Sequence, residues 1–207
     1  IFIPANGIQT DQGLKSFRDV AQALADAIES LLSDSDKAPE ILGAVASEAV
    51  DARMRDASQY GDVVLESRTL EHPRFAGAKV RTPALVCLDR ADEARYGSEC
   101  FGAVTFLIAT EDTHDSMEIA RRTAIERGAV SAAVYSTCPA VVESMTEACL
   151  DMQVSLSVNL HGGVFVNQTS AFSDFHGTGG NPSGSVALTD LAFVADRFRF
   201  VGVRWPA

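Results

Sequence analysis

Continuous apolar runs alternate with segments of helical period along this chain, and that alternation restricts its fold most strongly. Residues 84–88 (Ala-Leu-Val-Cys-Leu) and 104–108 (Val-Thr-Phe-Leu-Ile) are short apolar runs, typical of strands that are buried on both faces. Helical segments are predicted over 115–126 and from Pro139 onward. The pattern predicts a three-layer α/β fold, in which a largely parallel sheet is flanked by helices.

The amino-terminal third of the chain is predicted to be mainly helical. Apolar side chains recur with a helical period over residues 14–32, and Thr10 and Asp11 are the candidate N-caps of that helix. Pro39 suits the first turn of a second helix, which should extend to Val50. The segment 67–82 is expected to be an irregular connection.

The acidic charge of the chain argues against two kinds of partner. Its net charge is −11 over 207 residues, and both nucleic acids and anionic membranes repel such a protein. No apolar run is long enough to cross a bilayer. The four cysteines lack Cys-x-x-Cys spacing and do not cluster with the four histidines, so no metal site is expected. Reduced thiols in a cytoplasmic protein fit this composition.

Several residues that invite a catalytic interpretation are better explained as structural. The glycine-rich segment 177–184 lacks the spacing of a phosphate-binding loop, and Pro182 removes a backbone donor from it. Cys87 and Cys149 lie among apolar neighbours, which favours buried, protonated thiols. Cys138 begins a helix, but nothing near it in sequence resembles a base.

The strongest functional candidate is the segment 99–104, Glu-Cys-Phe-Gly-Ala-Val. Here a carboxylate precedes an aromatic residue, a glycine and a buried strand. The carboxylate of Glu99 suits a site that binds sugar hydroxyls, and Phe101 offers a flat apolar face. The alternative is that Glu99 is a surface carboxylate in a polar connection. The residues alone leave both interpretations open.

Residues 99–104 also resemble the Glu-x-Phe-Gly-Pro-Val signature of the aldehyde dehydrogenase superfamily. Residues 116–123 and 131–136 are similar to the helix and strand that follow this signature in the family. Residues 164–167 (Val-Phe-Val-Asn) resemble the strand before the substrate-side loop, and 179–184 resemble the glycine-rich element beyond it. The order of these motifs covers nearly the whole chain.

One branch of the family is the most similar. Residues 179–199 resemble the phenylacetate-degradation aldehyde dehydrogenases, which are associated with oxidation of a ring-opened semialdehyde. Three residues depart from the family pattern. Ala103 replaces the usual proline, Arg121 stands where asparagine is common, and Pro182 stands where lysine is common.

The resemblance implies the carboxyl-terminal part of an enzyme that oxidises an aldehyde through a cysteine thioester, with NAD or NADP as cofactor. Residues 1–4 resemble the strand that begins shortly after the nucleophilic cysteine. The nucleophile, the oxyanion asparagine and the general base are therefore expected upstream, and no catalytic residue is expected within the chain. The resemblance implies that Glu99 and Phe101 bind the nicotinamide ribose and that Phe172 lines the substrate tunnel.

The same resemblance divides the chain by role. Residues 1–160 would be a partial catalytic domain, and 161–207 would carry the substrate-side loop and an oligomerisation segment. The closing strand 198–203 resembles a strand that joins the sheet of a partner subunit, which implies a homodimer or homotetramer. The other expected partner is a small-molecule aldehyde.

Two alternatives remain open from the sequence. An acyl-phosphate or acyl-CoA reductase on the same scaffold would form the thioester without a water-activating glutamate. A non-catalytic module would only assemble through its terminal strand.

Overall fold

The computed structural model describes residues 1–129, 131–161 and 203–205, and the chain divides into two compact units, 1–116 and 117–207. Each unit contains a sheet with helices packed on it, so the prediction of a largely parallel α/β fold is confirmed. The division by role at residue 160 stays a prediction.

The sheet of the first unit has four strands. Their order is β1 (Phe2–Pro4), β8 (Val104–Thr110), β7 (Ala84–Asp89) and β4 (Asp62–Leu65). The first three run parallel, and β4 is antiparallel to β7. The two apolar runs that the sequence predicted as strands therefore lie side by side at the centre of this sheet.

Side chains of β7 alternate between two hydrophobic cores. Leu85 and Cys87 pack on one face with buried alanines of helix α1 (Phe17–Leu31). Val86 and Leu88 pack on the other face with Ala57 of a short 3-10 turn. Both faces of the strand are covered, which explains why its sequence is apolar without alternation.

Helix α1 begins later than the sequence predicted. Its N-cap is Ser16, whose hydroxyl oxygen accepts from the backbone N–H of Asp19, while the Asp19 carboxylate accepts from the backbone N–H of Ser16. The prediction of Thr10 or Asp11 as the cap is wrong. Residues 8–15 form a hairpin instead, and Leu14 is 66% exposed within it.

The connections after α1 also differ from the prediction. Pro39 does lie in the first turn of α2 (Ala38–Leu42), but Val50 belongs to a separate helix, α3 (Glu48–Arg55). The segment 67–82 is not wholly irregular, because two short strands within it pair as a hairpin. The shorter elements of this unit are β2 (Ile8–Thr10), β3 (Gly13–Lys15), β5 (Thr69–Leu70), β6 (Val80–Arg81) and α4 (Glu93–Tyr96).

The second unit contains a parallel sheet with the strand order β11 (Val203–Arg204), β10 (Ser155–Val158) and β9 (Ser131–Val134). Helix α6 (Pro139–Met152) supplies Met145, Cys149 and Met152 to the core beside β10. Most of α5 (Thr113–Arg127) also belongs to this unit, and its Ala124 joins the same core. The predicted helix from Pro139 is confirmed.

The closing strand falls only partly within the described residues. Val203 lies opposite Leu156, so the described end of this strand pairs with β10 of its own chain. Its role in oligomerisation stays a prediction. The predicted strand at 164–166 and the candidate Phe172 lie outside the described residues.

We expect alkaline pH to destabilise the second unit through Cys149. Burial raises the pKa of this thiol to about 12, from about 9 in the unfolded chain. Cys149 therefore favours folding fully below about pH 9, and its contribution is lost as the pH rises towards 12. Denaturant unfolding at several pH values should show a smaller alkaline loss in Cys149→Ala than in the parent chain. Cys138→Ala, which removes an exposed thiol, is the control, and equal losses in Cys149→Ala and the parent would contradict this expectation.

Candidate functional site

The segment 98–103, which we call the cofactor-candidate loop, connects α4 to β8 at the edge where the two central strands begin. The backbone N–H of Ala84 donates to the carbonyl oxygen of Ala103 at 2.8 Å. Ala84 is then paired with Val104 as the two strands start. The sheet therefore fixes the carboxyl-terminal end of this loop.

Helix α3 contacts the middle of the cofactor-candidate loop. The Arg53 Nη1 group donates to the carbonyl oxygen of Phe101 at 3.0 Å. Gly102 has a φ of +137°, and a Cβ built at this position would lie 3.2 Å from Cγ of Met54 and 3.4 Å from Cγ1 of Val50. Glycine is required here because its backbone angle suits few other residues and because the helix leaves little room for a side chain.

The candidate side chains point outward from this fixed backbone. Glu99 is exposed, and 62% of the surface of Phe101 is exposed. Cys100 between them is half-buried, and its thiol neighbours the Tyr60 hydroxyl. Cys100 is therefore the one residue of the cofactor-candidate loop that is not exposed.

Two tyrosines pack around the base of the loop. Burial raises the pKa of Tyr60, as does the neighbouring Cys100 thiol, and the Tyr60 ring packs edge-to-face on Phe106 at 5.6 Å. Tyr96, three residues before Glu99, packs edge-to-face on Phe2 of the first strand at 5.8 Å. The helical turn that leads into the loop is therefore held against β1.

A buried ion pair holds α3 in place. The Arg81 side chain is 9% exposed, and its Nε lies 3.7 Å from Oδ1 of Asp51 on α3. Arg81 also donates to the Ser67 carbonyl oxygen at 3.2 Å and to the Thr69 hydroxyl at 2.9 Å. The ion pair joins α3 to Arg81 of the β5–β6 hairpin, and the two hydrogen bonds hold the Arg81 side chain in place. Asp51 and Arg55 also form an ion pair at the i,i+4 spacing that can be read from the sequence, whereas no local pattern marks Arg81 as a partner of Asp51.

Two buried cysteines, Cys87 and Cys149, differ from a thiolate nucleophile. Burial raises the pKa of both Cys87 and Cys149, so these thiols stay protonated at neutral pH. Cys138 is exposed at the N-cap position of α6. The structural interpretation of Cys87 and Cys149 is confirmed by their burial.

Other surface features lie apart from the loop. A groove of about 330 Å³ lies between α1 and β4, and its lining includes Asp26, Glu29 and Arg68 but no candidate site residue. In the part of the chain that is described, no three histidine, cysteine or acidic side chains come together as metal ligands. Nor does any described helix combine the length and apolarity needed to cross a membrane.

We expect Gly102→Ala to lower the free energy of unfolding by about 1–3 kcal/mol, because alanine is strained at this backbone angle and meets Met54. Gly77→Ala is the matched control, since Gly77 also has a positive φ but has no atom within 4 Å of a built Cβ. Denaturant unfolding should give a larger loss for Gly102→Ala. A smaller loss than that of Gly77→Ala would contradict the packing of this loop on α3.

Comparison with known proteins identifies a close structural relative. No protein-family model and no curated protein matches the chain. The chain is similar to the crystal structure of an NAD-dependent aldehyde dehydrogenase from Burkholderia multivorans, with a TM-score of 0.85 and 47% sequence identity. The match covers 96% of this chain and 36% of that chain. Similarity in sequence and in fold over nearly the whole chain supports the resemblance to the aldehyde dehydrogenase superfamily that the order of motifs indicated.

Proposed function

We propose that this chain is the carboxyl-terminal catalytic-domain portion of an NAD(P)-dependent aldehyde dehydrogenase. Such an enzyme oxidises an aldehyde to a carboxylic acid through a cysteine thioester. One observation carries the proposal: 47% identity to an NAD-dependent aldehyde dehydrogenase over 96% of this chain. The chain spans 36% of that protein. In this proposal the nucleophile, the oxyanion donor and the general base lie in polypeptide outside this chain.

The residues of the cofactor-candidate loop fit a nicotinamide ribose. Glu99 is an exposed carboxylate that accepts hydrogen bonds from hydroxyl groups, and Phe101 offers an exposed apolar ring two residues away. When bound, NAD(P) supplies the hydride acceptor of the reaction. Glu99 would orient the ribose, and Phe101 would exclude water from one side of it.

The role of this chain in the reaction is therefore positioning. A fixed backbone with outward side chains suits this role, because a bound group is placed accurately only when the residues that hold it are themselves held. In the first unit the sheet fixes Ala103, and α3 contacts Phe101 and Gly102.

The finer parts of the proposal have separate support. The NAD-dependence of the Burkholderia enzyme favours NAD over NADP. The resemblance of residues 179–199 to the phenylacetate-degradation branch favours a ring-opened semialdehyde as substrate, with Phe172 in the tunnel that admits it. The apolar closing strand favours a homodimer or homotetramer. The four cysteines without a disulfide or metal pattern favour the cytoplasm.

The isolated chain should have no dehydrogenase activity, because the thiol that attacks the aldehyde is supplied by polypeptide outside it. The measurement is the absorbance of reduced nicotinamide after the purified chain is mixed with an aldehyde and either NAD or NADP. Circular dichroism checks that the chain is folded. Robust turnover would show that the chain contains its own nucleophile and would contradict the proposal.

A chimera tests the dehydrogenase function directly. Its design replaces the matching segment of the Burkholderia multivorans enzyme with this chain, and NAD-dependent oxidation should be retained. Within the chimera, Glu99→Gln should raise the KM for NAD about tenfold and leave the KM for the aldehyde unchanged, because a charge-assisted hydrogen bond is weakened.

Glu66→Gln, which neutralises another exposed carboxylate, is the matched control and should behave as the unmodified chimera. A folded chimera that is inactive with both NAD and NADP would count against the enzyme and favour the assembly module.

A further inference from the structure

We propose that Arg53 is a positioning residue for the cofactor: its guanidinium ties the cofactor-candidate loop to α3, so that Glu99 and Phe101 are presented in one fixed orientation. The inference rests on the proposed function, since it concerns how the proposed ribose-binding residues are held. Arg53 itself touches neither the ribose nor the reacting atoms.

The Arg53 guanidinium bridges two segments that are distant in sequence. Its Nε donates to the carbonyl oxygen of Ala49, one turn earlier on α3, at 3.1 Å. Its Nη1 donates to the carbonyl oxygen of Phe101, which lies 48 residues away, at 3.0 Å. A planar group with donors on several nitrogens can bond to the helix and to the loop at once, whereas the single ammonium of lysine bonds from one point.

The helix that carries Arg53 is itself held firmly. Met54, the next residue, is 2% exposed and contacts the position that a Gly102 side chain would occupy. Asp51, on the same helix, is paired with the buried side chain of Arg81. The loop therefore contacts a helix, α3, that is held both by the packing of Met54 and by the ion pair of Asp51.

The cofactor-candidate loop needs this support because most of its residues are exposed to solvent. It has no helix or strand of its own between α4 and β8, and Ser98, Glu99, Phe101, Gly102 and Ala103 are all exposed. The pairing of β7 with β8 fixes only the end at Ala103. Loss of the Arg53 bond would leave the Phe101 carbonyl oxygen without this anchor and would loosen the two side chains beside it.

The test measures amide hydrogen exchange of the 207-residue chain by mass spectrometry, with and without NAD⁺. Arg53→Gln should raise about fivefold the NAD⁺ concentration that is needed to protect the amides of 98–103, as expected when the loop loses one hydrogen bond that orders it, with exchange elsewhere unchanged. Arg53→Lys should give an intermediate result.

Arg55→Gln is the matched control. It removes an exposed arginine from the same helix, whose bonds go to Asp51 and Asp56 and not to the loop, so loop exchange and NAD⁺ protection should stay as in the parent chain. If Arg53→Gln needs the same NAD⁺ concentration as the parent chain, or if exchange becomes faster throughout the chain, the inference is overturned. NAD⁺ protection of the parent chain would still leave the proposed function standing. Absence of NAD⁺ protection in the parent chain itself would count against the proposed ribose site, and the inference would fail with it.

Discussion

β7 and β8 pair in parallel at the centre of the first sheet, and their apolar side chains are buried on both of its faces. Burial of each such side chain stabilises the fold by about 1.5–3 kcal/mol, so the register between these strands is strongly specified. That register places Ala84 beside Val104 and Ala103. The position of the cofactor-candidate loop depends on it, because the loop is the segment that leads directly into β8.

The site is built from a fixed backbone and free side chains. On the backbone side are the sheet, the Arg53 bond and the close approach of Gly102 to α3. On the solvent side are the carboxylate of Glu99 and the ring of Phe101. Binding of a ligand between such groups costs less conformational entropy than binding to a loop that becomes ordered only when the ligand binds. This division of roles suits the proposed positioning of a cofactor.

Where the sequence predicted elements well, the signal was local. The apolar runs at 84–88 and 104–108 became adjacent strands, and Pro39 and Pro139 each lie in the first turn of a helix. The errors arose where one local pattern fitted two structures. Leu14 fits the helical period of α1 but lies in a hairpin, because the capping box of Ser16 and Asp19 starts the helix two residues later. Hydrogen bonds of this kind decide whether such a segment joins the helix or forms a strand.

The sequence by itself determined the fold class, the central strands and the candidate loop, because strand and helix periods and the order of motifs can be read along the chain. Only the tertiary structure showed how the loop is held. Arg53 and Phe101 are separated by 48 residues, and Asp51 and Arg81 also come from separate elements. No local pattern marks such partners, since a hydrogen bond or an ion pair between distant segments forms only after the sheet has brought them together.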